Sequence, residues 1–167
     1  MNEIQERIAE DMATATKMGD EDVMALILVW SQVSTECNEM TEQGLFREPI
    51  ERADRGIERL EQHIASNPSV KTILGFTLSQ LYMMKAICYT QLGQTDVSLK
   101  RQALQNVENC FRVTNLPPHL GAGLLQLKQG LEREIAMGEQ GTTRAQKSQT
   151  SFPKDEKKKG WLGKLFG

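Results

Sequence analysis

The sequence predicts an all-α protein of about six helices paired into antiparallel hairpins, followed by a linker and a short amphipathic C-terminal segment. Three observations carry that reading. Up to residue 137, apolar side chains recur at steps of three and four, the period of one helix face. No stretch shows the strict alternation of a half-buried strand. Helix-breaking or helix-starting residues fall between the periodic runs, at Gly19, Gly44, Pro49, Asn67–Pro68, Gly93 and Pro117–Pro118. The expected organisation is a helical domain over 1–138, a flexible linker over 139–156 and a basic, aromatic segment over 157–167.

The first run, "NEIQERIAEDMATA", places Ile4, Ile8, Met12 and Ala15 on one narrow stripe. After Gly19, the acids Asp20, Glu21 and Asp22 suit the positive end of a new helix over 21–42. Its opening "VMALILVW" is apolar all round, which predicts deep burial there. A third helix opens at Pro49 and carries Ile50, Ala53, Ile57, Leu60 and Ile64 on one face. Asn67 is placed to cap, and Pro68 to begin, a fourth helix reaching residue 92. Its broad apolar face predicts a central position. Two more helices are expected at about 96–114, with Leu99, Ala103, Val107, Cys110 and Phe111, and at about 118–137, with Leu120, Leu124, Leu127, Leu131 and Ile135.

Charge divides the chain. The 167 residues carry a net −2, but residues 139–167 hold seven Lys/Arg against three acids, leaving +4 there and −6 on residues 1–138. An acidic body disfavours nucleic acid. The longest apolar run spans about eight residues, well short of the roughly 20 that a membrane helix needs. The acidic start has none of the zones of a secretion signal, and Cys37, Cys88 and Cys110 are an odd number without paired spacing. These features predict free thiols and a cytoplasmic protein, peripheral at most to the inner face of a membrane.

Catalytic chemistry finds few carriers. His63 and His119 are the only histidines, and His63 reads as a solvated residue on a charged helix. The "GAG" of "PPHLGAGLL" follows no strand and lacks the wider dinucleotide fingerprint. The cysteines sit on apolar stripes, where buried thiols are common and unreactive. No nucleophile–base pair, metal set or cofactor motif emerges, so the expectation is a protein that is not an enzyme, with no cofactor.

Shifted by 47 residues, the third helix overlays the fifth: Gly56 on Ala103, Leu60 on Val107, Ile64 on Phe111. Such a period suggests stacked helix pairs, each unable to bury its apolar face alone. The stretch "LYMMKAICYTQLGQ" resembles the first helix of a tetratricopeptide repeat, with Tyr82, Ala86, Tyr89 and Gly93 at its aromatic, small, aromatic and turn positions. Ala103, Val107 and Cys110 match the second helix, and Cys37, Met40, Gly44, Gly56, Leu60 and Pro68 fit a looser first copy. The spacing exceeds the family's 34, and Lys85 replaces its usual leucine. The resemblance implies a scaffold or adaptor that binds a protein or peptide partner. It places Gln80, Met83, Ile87 and Thr90 on the partner face, where they offer no clamp for a carboxylate. Met83, Met84 and Ile87 would make an adaptable apolar groove if that face is open, and core if it is closed.

The terminal "KKKGWLGKLFG" needs a surface of its own. On a helical wheel Trp161, Leu162, Leu165 and Phe166 fall within about 140°, with Lys157, Lys158, Lys159 and Lys164 beside or leading into that arc. Each large side chain contributes at most about 1.5–3 kcal/mol on burial. Ordering costs about 1–2 kcal/mol per residue, so the expected contact is weak and reversible. The arrangement fits an anionic membrane surface, a partner's groove or the protein's own acidic body. The alternative to the scaffold is an autonomous helical bundle whose only functional element is this peptide.

Overall fold

The computed structural model describes residues 2–145, with side chains through Gln140. The described residues form six α-helices: α1 (Glu3–Met18), α2 (Glu21–Glu42), α3 (Arg47–Ser66), α4 (Lys71–Leu92), α5 (Val97–Val113) and α6 (Pro118–Ala145). No strand occurs among the described residues. The rest of the expected linker and all of segment 157–167 lie outside them.

Local chemistry sets most boundaries. The side chains of Asn2, Asp20 and Asp96 accept backbone N–H bonds from Gln5 (3.0 Å), Val23 (3.0 Å) and Ser98 (2.8 Å). They thereby satisfy donors that have no partner within the helix. α1 and α2 end alike. Gly19 and Gly44 adopt φ of 68° and 79°, a conformation that only glycine enters without strain. The N–H groups of Gly19 and Asp20, and of Gly44 and Leu45, return to carbonyls of the last helical turn.

α4 occupies the centre, packed by α1, α2, α3 and α5. The helices pair as hairpins, α2 with α3 and α4 with α5, while α6 lies along α5. Phe76, Leu74 and Leu81 of α4 are fully buried, as are Ile27, Leu60 and Val107 on the helices around it. A second, smaller cluster gathers Cys37, Ile50, Met84 and Cys88. Close approach at one crossing requires a missing side chain, because a Cβ on Gly56 would sit 2.6 Å from Leu81 Cδ1 and 2.7 Å from Trp30 Cε3. Lys85, the departure from the repeat pattern, pairs its ammonium with Asp54 of α3 at 2.5 Å.

Four expectations need correction. The start of α2 is not deeply buried: Val23 and Ile27 are, but Leu28 and Val29 are 56% and 53% exposed. Neighbours cover only part of that circumference. Asn67 does not cap α4; its side chain accepts the Ser69 hydroxyl at 2.6 Å, and Pro68–Val70 form a short 3-10 turn before the helix. α3 begins at Arg47, which places Pro49 inside its first turn. Finally, α6 continues to Ala145 where a linker was expected from residue 139. Polar residues such as Glu139 and Gln140 are good helix formers. α5 supports them as well, through Arg101 paired with Glu139 and Val97 packed against Gly138.

Candidate functional site

Three helices enclose a cleft of about 320 Å³. α4 supplies its floor, Gln80, Met83, Met84 and Ile87. Ile4 and Ile8 of α1 form one wall, and Ser31, Ser34, Thr35 and Asn38 of α2 form the other. Asn2, Gln5 and Gln32 stand exposed at the rim. The floor exists because α4 is apolar around most of its circumference, and α1 and α2 cover that face without sealing it.

Among the described residues the lining holds no ionisable side chain. Its polarity comes from amides and hydroxyls. Ser34 donates to Trp30 O at 2.9 Å and Thr35 to Ser31 O at 3.2 Å, so both hydroxyls are used within their own helix. Ser31 Oγ and Gln80 Oε1 are buried and have no partner among the described residues. An unpaired buried polar atom costs about 1–3 kcal/mol, so both oxygens gain from an incoming hydrogen-bonding group. The site can therefore hold an uncharged group that combines apolar surface with a donor. Among the described residues its walls offer no general acid or base.

Of the four candidate groove residues, the structure brings Gln80, Met83 and Ile87 together on the floor. Thr90 is not with them; it donates to Ala86 O of its own helix at 2.7 Å. Gln80 is only 6% exposed, and Met83 and Ile87 each 5%, so they form the bottom of a narrow cleft and not an open concave face. Sequence reading missed the α2 wall. A signal was present, since Ser31, Thr35 and Asn38 repeat at helical spacing without a charge among them, but the apolar stripe of α2 drew the reading. The anchor residues Lys157, Lys158, Lys159, Trp161, Leu162, Lys164, Leu165 and Phe166 lie outside the described residues.

The titratable groups elsewhere are tied into structure. Burial pushes the Cys88 and Cys110 thiols up to about 12, and raises Cys37 against the opposing pull of Arg52. Thiols so protonated are poor nucleophiles. His63, expected in solvent, is half-buried with Nε2 covered and without a partner among the described residues. Asp11 is buried and paired with Arg7 at 3.2 Å, and its desolvation raises the carboxyl despite that partner. Arg7 in turn lies 5.8 Å from the Phe76 ring centroid. Among the described residues no group of His, Cys, Asp or Glu is arranged to hold a metal, and no helix is long and apolar enough to cross a membrane.

These features define a class: a helical-hairpin protein with a neutral, part-apolar cleft. Comparison with family models, with curated proteins and with solved structures gave no match.

Proposed function

We propose that the chain is a non-enzymatic protein-interaction scaffold of tetratricopeptide-like design. Its α1/α2/α4 cleft takes one face of a partner segment, and its C-terminal residues recruit it reversibly to an anionic membrane. One observation carries the first half: two buried oxygens, on Gln80 and Ser31, have no partner among the described residues and belong to a cleft whose described lining is apolar at the floor and uncharged. The stacking of α4 against both members of the α2/α3 hairpin supports the repeat-like design. The basic, aromatic composition of residues 157–167 supports the second half.

The test uses as bait for a random peptide library the full-length chain with Trp161→Ala/Phe166→Ala, whose own C-terminal anchors cannot compete for the cleft. Selected peptides should lose binding when Thr35→Arg, an exposed change at the cleft wall, blocks the entrance. If no selected peptide responds to Thr35→Arg, the cleft is not a docking site. Sedimentation with anionic vesicles tests recruitment. Wild type should pellet, and a full-length Trp161→Ala/Phe166→Ala variant should stay in solution; equal behaviour removes the membrane role. The near-complete burial of Met83 and Ile87 favours a second reading, an autonomous bundle that acts only through its C-terminal peptide. Thr35→Arg separates the two, because the bundle reading predicts no effect on any binding.

A further inference from the structure

Acidity is concentrated where the cleft is. Residues 1–42 hold ten carboxylates against Arg7 and Lys17, a net −8, whereas residues 43–138 carry +2. α2 itself has five acids and no Lys or Arg. Along its cleft-lining stripe, Ser31, Thr35 and Asn38 lead by helical steps to Glu42, and Glu39 follows Thr35 by one turn. Both glutamates are exposed. A neutral interior therefore opens onto an acidic margin at the C-terminal end of α2.

The end of the chain carries the complementary order. Three lysines precede Trp161 and Leu162, and Lys164 precedes Leu165 and Phe166. An indole offers a broad apolar ring with one N–H that only donates, and Gln80 Oε1 has no donor among the described residues. The thioethers of Met83 and Met84 make favourable contacts with aromatic rings. The cleft volume, about 320 Å³, lies at the small end for ligand sites, so it suits one or two large side chains better than a whole helix.

Reach is sufficient. The Glu3 carboxylate, whose chain neighbours Asn2 and Ile4 line the cleft, accepts the backbone N–H groups of His119 and Leu120 at 3.4 and 3.3 Å, which ties the start of α6 to the first turn of α1. From Leu120 to Ala145 the helix advances about 38 Å. The fifteen residues from 146 to 160 extend to about 50 Å, enough to bring Trp161 back along that length. Connection through the same chain supplies an effective concentration on the order of millimolar.

We propose that residues 157–167 dock in the α1/α2/α4 cleft of their own chain, with Trp161 over Met83 and Met84, its N–H on Gln80 Oε1, and the lysines against Glu39 and Glu42. The inference rests on the cleft being a docking site for protein segments. Its consequence is exclusion: the cleft is open to an outside partner only when the segment has left it, and the segment is free to reach another surface only then.

The experiment places p-benzoylphenylalanine at Gln5 or Gln32, the exposed side chains at the rim, in the full-length chain. Isotopically light and heavy copies are mixed, irradiated and digested with trypsin. The expected product joins the rim to the tail peptide of residues 160–164, within single chains only. Trp161→Ala should lower its yield about tenfold or more, as loss of an anchoring tryptophan does. Glu39→Lys/Glu42→Lys, two exposed changes compatible with folding, should lower it about threefold or more. Absence of the tail peptide at both positions, a majority of light–heavy products, or a yield indifferent to Trp161→Ala overturns the proposal. If the tail peptide is absent while selected peptides still respond to Thr35→Arg, the occupant is wrong and the cleft reading stands. If neither response appears, both fall.

Discussion

α2 and α4 are each 22 residues long and both are rich in apolar side chains, yet they live in different environments. Fifteen residues of α4 are buried, against four of α2. The difference lies in their neighbours. α4 has helices on four sides, while α2 meets α1, α3 and α4 and leaves Leu28 and Val29 facing solvent. An all-round apolar run thus reports how much of a helix is available for packing. The number of helices that arrive to cover it is set elsewhere in the chain.

Substitutions can test that contrast. The largest loss is expected from Phe76→Ala at the centre of α4, about 3–5 kcal/mol by urea denaturation. A loss below 1 kcal/mol would place the core elsewhere. Gly56→Ala, where α3 crosses both α2 and α4, should cost about 1–3 kcal/mol through overpacking against Trp30 and Leu81. Alkaline pH probes the same interior. Cys88 and Cys110 hold their protons up to about 12, whereas an unfolded thiol ionises near 9. Their contribution is therefore complete below pH 9 and is lost as the pH rises from 9 towards 12, by about 1 kcal/mol per thiol at pH 10. Thermal melts with reductant should show a shallower decline over that range for Cys88→Ala/Cys110→Ala than for wild type. Glu3→Ala, which removes the carboxylate at the start of α6, should cost about 0.3–1 kcal/mol, an effect that weakens in salt. Leu28→Ser and Val29→Ser on the open side of α2 should each change stability by less than about 0.5 kcal/mol. A loss above 2 kcal/mol would mean that another surface covers them in solution.

Much of this fold was legible in the sequence because its helices obey local rules. Gly19 and Gly44 end helices by chemistry visible in the chain, and the stripe through Ile50, Ala53, Ile57 and Leu60 could bury only one face. Other features depended on neighbours. Nothing near Leu28 says that its side stays open, and the extension of α6 past Gly138 depends on Val97 and Arg101, some forty residues earlier. Gln80, Met83 and Ile87, expected on a partner face, lie buried at the floor of the cleft. Its α2 wall escaped because serine, threonine and asparagine look the same in sequence on a solvated face as in a cleft. That Gln80 Oε1 has no partner among the described residues is a property of packing alone.

The contact of Glu3 with His119 and Leu120 closes a loop of more than a hundred residues, whereas the hairpins α2/α3 and α4/α5 pair near neighbours. Hairpins close early because little chain entropy is lost, and so long a closure comes late. The order of assembly then runs from the middle outwards, with the first helix finding the sixth as the final event. In native-state hydrogen exchange this junction should be the first to open, with the amides of His119 and Leu120 exchanging well ahead of those in α4.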